Sequence, residues 1–276
     1  MPKVSGFPPV VTKSRLCADL TRLGLQTGDT VMLHVSVKAV GRVVGGPDMV
    51  IESLLEVLGP EGTLTMMVSS EDSTYELNDW PPQWREAYLR EAPTFDPKRS
   101  RAYRKWSILT EYLRTWPGAE RSSHPDVSFA AVGSKAKWLT ADHPLNYALG
   151  PGSPLDKLCQ AGGKVLLLGT GFGCLTLIHL AENLARVPGK HIYRFRAPIL
   201  VNGRSQWVEI EGLDGNQPIG GWQGESYFEI IPREYLATGR GAQGTVGEAQ
   251  CYLLEAADLK RFAVEWLERH LGDDSG

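Results

Sequence analysis

Apolar positions along this chain alternate between two rhythms. Thr12–Leu23 carries leucines at 16, 20 and 23, a helical spacing that starts at Thr12 or Lys13-Ser14. Asp29–His34, DTVMLH, is a short apolar run and predicts a strand. Pro47–Leu58 is amphipathic, opens on Pro47-Asp48 and is closed by Gly59-Pro60, which predicts a helix. Gly62–Val68, GTLTMMV, predicts the next strand. A leading helix followed by strand–helix–strand is the signature of a mostly parallel sheet.

Ser69–Ser100 breaks that rhythm with a polar, aromatic stretch bracketed by prolines and rich in acids. A long irregular insert in a compact domain is usually functional or disordered. Order then resumes: a helix over Trp106–Trp116, a strand over Ser128–Val132, a short helix over Pro154–Cys159 and a strand over Lys164–Leu168. From His191 the pattern turns strand-rich, with Ile192–Val201, a turn at Asn202-Gly203 and Gln206–Ile210. Asn-Gly between apolar runs is a strong hairpin signature. Ala256–Leu271 closes the chain as a helix with Phe262, Trp266 and Leu267 on its buried face. The sum is an α/β fold: a mostly parallel central sheet flanked by helices, with an antiparallel section added in the C-terminal half. Residues 1–276 read as a single domain, with 1–11 a proline-rich lead-in and 69–100 an insert.

Composition narrows the classes. With 276 residues, 42% of them hydrophobic, the chain can bury a sizeable core. No apolar run approaches the length that spans a bilayer, and the N-terminus lacks the apolar stretch of a secretory signal. Cys17, Cys159, Cys174 and Cys251 are widely spaced with no CxxC pair, so reduced cytoplasmic thiols are expected and no metal site is. A formal net charge of −3 leaves no nucleic-acid footprint and is compatible with a cationic substrate.

Candidate chemistry concentrates in Lys164–Glu182, KVLLLGTGFGCLTLIHLAE. The buried strand breaks at Gly169, Gly171 and Gly173, and a helix begins near Thr176. The glycines read as a tight turn, since GxGxG is not the dinucleotide fingerprint. His179 and Glu182 stand three residues apart on one helical face, beyond the end of a strand, where open α/β sheets place their chemistry. His179 is either a satisfied helix-end histidine or a general base. As a base it needs a carboxylate to fix its tautomer. Glu182 is local, whereas Glu209, Glu211 and Asp214 arrive from the late hairpin and are better placed to come in from elsewhere; sequence does not choose among them. The loop His34-Val35-Ser36-Val37-Lys38, leading to Gly41, offers backbone N–H groups to a ligand or is an ordinary loop. Arg121-Ser122-Ser123-His124 holds a phosphate or is a capped turn. In the insert, Glu71, Asp72, Glu76 and Asp79 stand among Tyr75, Trp80 and Trp84. They are either a solvated face or the walls of a cleft for a polycationic, hydroxyl-rich ligand.

Five segments in fixed order make the chain similar to the aminoglycoside 3-N-acetyltransferase family, antibiotic acetyltransferases distinct from the GNAT fold. They are Leu25–Leu64, the FDP at Phe95–Pro97, RSSHPDVSFAAVG at Arg121–Gly133, GPGSPLDKL at Gly150–Leu158 and LLLGTGFGCLTLIHLAE at Leu166–Glu182. The resemblance implies acetyl transfer from acetyl-CoA to the 3-amino group of deoxystreptamine antibiotics, conferring resistance, with no metal. His179 matches the catalytic histidine, and Asp214, with Glu211 beside it, the partner acid or substrate anchor. His34, Val35, Ser36, Val37, Lys38, Val40 and Gly41, and also Arg121, Ser122, Ser123 and Phe129, match the loops that hold coenzyme A. Glu71, Asp72, Tyr75, Asp79 and Trp80 of the insert, together with Glu182 and Asp214, match the antibiotic site. No nucleic-acid or membrane partner is implied, and a monomer and a homodimer are equally consistent.

Such a reaction needs a base to deprotonate the ammonium and donors for the oxyanion. Direct transfer in a ternary complex is expected, with N–H groups around Val35–Val37 or a nearby hydroxyl as donors. Three positions depart from the family pattern: Val35 replaces the first of two serines, Met67-Val68 a proline-threonine pair and Phe172-Gly173 a His-Asp pair. These bear on the oxyanion donors and the antibiotic range. The alternatives are a same-fold acetyltransferase for a non-antibiotic amine and a catalytically silent coenzyme A-binding relative.

Overall fold

A computed structural model describes residues 9–272; the first eight positions of the lead-in lie outside the described residues. In chain order the strands are β1 (Val10–Val11), β2 (Thr30–Val35), β3 (Arg42–Val43), β4 (Thr63–Met67), β5 (Glu120–Arg121), β6 (Phe129–Gly133), β7 (Lys164–Leu168), β8 (Ile192–Val201), β9 (Arg204–Leu213), β10 (Ala242–Val246) and β11 (Ala249–Glu255). The helices are α1 (Lys13–Leu23), α2 (Val37–Val40), α3 (Asp48–Leu58), α4 (Pro82–Glu91), α5 (Ile108–Arg114), α6 (Ala136–Thr140), α7 (Pro154–Gln160), α8 (Leu177–Leu184), α9 (Tyr227–Ala237) and α10 (Ala256–Leu271).

Seven strands form the central sheet in the order β10-β11-β7-β2-β4-β6-β5. Its centre, β7-β2-β4, is parallel, and antiparallel strands are added at both sides. Following the pairings outward, five of the seven strands run one way, with β11 and β6 against them. The centre is parallel because β2 and β7 are apolar along nearly their whole length and are buried on both faces. One face packs α1, α3 and α5 through Leu16, Leu20, Ile51, Leu54 and Leu109. The other packs α7, α8, α9 and α10 through Leu155, Ile178, Ile231 and Leu267. Helix ends follow the local chemistry: Thr12 Oγ1 accepts the Arg15 N–H at 3.2 Å, and Gly24 closes α1 with a left-handed φ of 114°.

The late hairpin stands apart as a two-stranded ribbon of ten-residue strands, β8–β9. Asn202 and Gly203 both take positive φ, as a two-residue turn matched to strand twist requires. The ribbon's inner face buries Phe195, Ala197 and Ile210 against Tyr75 of the insert. The insert is more regular than its sequence indicates, with a 3₁₀ turn over Tyr75–Asp79 and then α4. No residue of α4 is buried, so its short Trp84, Ala87 and Tyr88 face is not a core stripe. It is tied to the ribbon: Thr74 Oγ1 donates to Arg196 O at 2.7 Å, Asn78 Nδ2 to Arg194 O at 2.8 Å and the Phe95 N–H to Pro198 O at 2.8 Å. Helix α9 and the β10–β11 pair are also absent from the sequence reading. Pro232 lies inside α9, and β10 reads AQGTV, too polar and short to stand out.

Candidate active site

Strand β7 delivers the chain to the site through Gly169. Its φ is +72°, and a Cβ there would come within 2.5 Å of Ala39 Cβ, so the turn admits only glycine. Helix α8 then begins at Leu177 and projects His179 and Glu182 from one face. His179 Nδ1 lies 2.6 Å from Glu182 Oε2. The other carboxylate oxygen accepts from the Tyr227 hydroxyl of α9, and that hydroxyl oxygen accepts the Ile219 N–H at 3.1 Å. A carboxylate only accepts, so Nδ1 carries a proton, and in the neutral ring the lone pair is on Nε2. Glu182 is sealed in, with 4% of its side chain exposed against 22% for His179. Burial and the adjacent carboxylate push the Tyr227 phenol well above its ordinary range, which keeps it a donor. Phe228 meets the His179 ring edge-on at 4.9 Å, and Gly215 brings bare backbone against the ring. A Cβ at Gly215 would sit 3.3 Å from His179 Cε1.

His179 stands at the edge of a cleft of about 610 Å³. Among the described residues, five carboxylates line it, Glu71, Asp72, Glu76, Asp126 and Glu211, against one lysine, Lys105. Tyr75, Trp80, Tyr88 and Trp106 give it aromatic walls. Asp126 accepts from Ser73 Oγ at 2.5 Å; burial, with Glu76 nearby, nevertheless pushes its pKa up to about 6.

The carboxylate hydrogen-bonded to His179 is thus Glu182, and not Glu209, Glu211 or Asp214 of the late hairpin. One helical turn brings Glu182 beside the ring, and Tyr227 holds it there. Asp214 instead accepts from Tyr75 OH at 3.1 Å, the Asn216 N–H at 3.0 Å and Gln217 Nε2 at 3.0 Å. Glu211 faces the cleft and pairs with Arg194 at 2.9 Å across the ribbon, while Glu209 is exposed. Of the insert residues, Glu71, Asp72, Tyr75 and Trp80 line the cleft. Asp79 stays outside it, accepting from Tyr193 OH at 3.2 Å.

The two loops matched to coenzyme A differ. After β2, the Ser36 N–H donates to Leu168 O at 3.0 Å and is not available as an oxyanion donor. Val35 and Val40 are core residues, Gly41 takes a φ of +99° at the end of α2, and Lys38 is exposed. His34 pairs in register with Leu167, whose side chain packs in the α8-side core, so its imidazole lies on the α8 face of the sheet. Burial lowers the His34 pKa to about 4, and Nε2 has no partner; Thr170 Oγ1, beyond β7, is likewise buried without one. The second loop is committed to the fold. Arg121 donates from Nε, Nη1 and Nη2 to protein oxygens. Ser122 Oγ accepts the Phe129 N–H at 2.8 Å and donates to His143 Nδ1 at 2.9 Å, and Phe129 is in the core. Only Ser123 is exposed. What the segment gives the cleft is His124, Asp126 and Val127.

Sequence reasoning missed Tyr227 and Asp126. Tyr227 lies 45 positions from Glu182 with no local pattern linking them. Asp126 stood inside a quoted motif, but nothing in the sequence marked its burial.

Chemically, the arrangement is able to accept a proton from a group seated in an acidic, aromatic-walled cleft. Together with the sheet that carries it, this defines an α/β enzyme. The family model described as aminoglycoside 3-N-acetyltransferase matches residues 32–268. The chain is 46% identical to aminoglycoside N(3)-acetyltransferase VII of Streptomyces paromomycinus, over 96% of this chain and 94% of that protein. Among solved structures it resembles AAC-IIIb in binary complex with CoASH, at a TM-score of 0.89 and 45% identity, covering 97% of this chain and 100% of that one. AAC-VIa bound to sisomicin gives a TM-score of 0.90 at 39% identity, covering 96% and 100%. The chain belongs to the aminoglycoside 3-N-acetyltransferase family and is an acyltransferase.

Proposed function

We propose that the protein transfers the acetyl group of acetyl-CoA directly to the 3-amino group of deoxystreptamine aminoglycosides, with His179 as general base. The observation that carries this reading is the buried Tyr227–Glu182–His179 chain ending in a free Nε2 beside five carboxylates. An aminoglycoside is a polycation; Asp72 and Glu76 are exposed and Glu71 and Glu211 half-buried, and a bound ligand that displaces water strengthens their attraction for its ammonium groups. The cleft carboxylates hold the non-reacting ammonium groups, and the aromatic walls cover the apolar faces of the sugars. His179 Nε2 takes the proton of the reacting amine. Glu182 stabilises the imidazolium that forms, and Tyr227 keeps Glu182 in place.

Acetyl-CoA fits the C-terminal edge of the parallel strands, where ligands of open α/β sheets bind. The buried, unpartnered His34 Nε2 and Thr170 Oγ1 there are polar atoms that a ligand would satisfy. A relative of the same fold binds CoASH. When bound, acetyl-CoA supplies the acetyl group. With Ser36 committed, the first-turn N–H groups of Val37 and Lys38, which have no helical acceptor, are the remaining backbone donors of this loop. Acetylation removes a positive charge from the antibiotic, and resistance follows from that loss.

Thiol release from acetyl-CoA is the test, with sisomicin, gentamicin or apramycin as acceptor, for the wild type beside His179→Ala. Acceptor-dependent release that collapses in the variant supports both the reaction and the base. No release with any aminoglycoside, despite coenzyme A binding, moves the reading to a different amine or to a silent relative.

A further inference from the structure

The 69–100 insert leaves the sheet after β4, and both of its ends meet one side chain. Arg121 Nη2 donates to Ser69 O at 2.5 Å, and Nη1 donates to Ser100 O. Nε donates to Ser128 Oγ at 3.0 Å, and the Phe95 ring covers the guanidinium with its centroid 5.0 Å from Cζ. The first and last residues of the insert are therefore closed by a single planar fork, whose fixed geometry spans two carbonyls in a way a point charge does not.

The root of the insert needs such a brace. Ser69 has a φ of +42°, an uncommon conformation for a residue with a Cβ. The Val68 and Ser69 N–H groups both donate to Ser128 O, at 2.8 and 3.2 Å. Glu71, Asp72 and Glu76, three of the cleft carboxylates, follow within seven residues. Beyond the root, the insert is held by its bonds to the ribbon and to Asp126, by the Glu71 N–H on Arg101 O at 3.0 Å, by the Arg104 N–H on the Glu71 carboxylate at 3.3 Å and by Arg114 Nη1 on Lys98 O at 3.3 Å, and α4 buries nothing. Arg121 itself does not line the cleft.

We propose that Arg121 is a positioning residue for the acceptor: it clasps both ends of the 69–100 insert, sets where Glu71, Asp72 and Glu76 stand, and takes no part in holding coenzyme A. This rests on the reading that the cleft receives an aminoglycoside. It replaces the phosphate-binding role that the resemblance implies for Arg121.

The experiment compares the full-length wild type with Arg121→Gln, Arg121→Lys and Ser128→Ala. It measures acceptor KM and kcat with sisomicin, coenzyme A affinity by calorimetry and amide exchange along the chain. For Arg121→Gln we expect acceptor KM to rise about tenfold or more, equivalent to one lost strong contact, with kcat and coenzyme A affinity changed less than about threefold. Arg121→Lys restores part of the loss, and Ser128→Ala gives a smaller shift in the same direction. Exchange rises over 70–100 and not over 34–41. Weakened coenzyme A binding with unchanged acceptor KM overturns the proposal, as does a Gln variant with neither parameter altered. If Arg121→Gln does not fold, Ser128→Ala and Phe95→Leu must show the same split between KM and coenzyme A affinity. A wild type inactive on aminoglycosides sinks the functional reading alone. The exchange pattern then still decides whether the clasp exists.

Discussion

The two ring nitrogens of His179 have different jobs. Nδ1 is tied to a carboxylate that burial and Tyr227 hold still, and Nε2 faces the cleft without a protein partner among the described residues. Truncation at each link should therefore cost activity in a graded way. His179→Ala is expected to lower kcat by about 10²–10⁴-fold, the usual worth of a general base. Glu182→Gln keeps an acceptor for Nδ1–H but removes the charge facing the imidazolium, so kcat falls while acceptor KM holds. Tyr227→Phe leaves the buried Ile219 N–H without its partner and should cost about 1–3 kcal/mol of stability, with a smaller kcat loss than Glu182→Gln. Steady-state kinetics and denaturant melts on the three variants check the order. Asp126 adds a pH signature. Its carboxyl, near pKa 6, is ionised at pH 7 and protonates as pH falls, so acceptor KM should rise between pH 7 and pH 5. Ser73 donates to it, and Glu76 and Tyr75 are the neighbouring titratable groups. Asp126→Asn should raise KM at pH 7 and flatten that slope; a retained slope would assign the titration elsewhere.

Helices and strands here divide by what they bury. Helix α3 seats Leu54 with no exposure, whereas α4 leaves Leu89 38% and Trp84 60% exposed. Leu54→Ala should cost about 2–5 kcal/mol, and Leu89→Ala within about 0.5 kcal/mol. Equal losses in a urea titration would mean that α4 packs against something. The same contrast governs legibility. Helices α1, α3 and α10 and strands β2, β4 and β7 show in the sequence because each lays a periodic apolar face on the core. The ribbon shows because Asn202-Gly203 has turn chemistry of its own. Helix α4 has only a short face of Trp84, Ala87 and Tyr88 that meets no core, α9 carries Pro232, and β10 is polar, so these three do not stand out by periodicity.

Across the molecule, charge is distributed rather than abundant. A formal net charge of −3 hides the gathering of five carboxylates around one cleft. Buried neutral histidines set the acid limit of the fold. Burial lowers His34 to about 4, His124 to about 3, with His143 adjacent, and His143 to about 4. The unfolded chain binds these protons near pH 6.5, so below that it takes up more protons than the native state. The stability they contribute is present above pH 6.5 and is lost as pH falls toward 4, on the order of several kcal/mol in sum. Asp126, raised to about 6, contributes with the opposite sign between about pH 4 and 6 and is one group against three. Melting temperature should therefore fall steeply from pH 6.5 to 4, and the His124→Asn variant should show a shallower fall.

By itself the sequence determined what short-range physics controls. Helical spacing placed His179 and Glu182 on one face, a glycine turn joined them to a buried strand, and the order of motifs indicated the family. Tertiary structure alone decided which acid serves His179, because the choice depends on Tyr227 arriving from 45 residues away and sealing Glu182 from water. It also decided that Arg121 closes the insert and that burial raises the Asp126 pKa. A hydrogen-bond partner and a degree of burial belong to the packed molecule, and no local pattern of residue types encodes them.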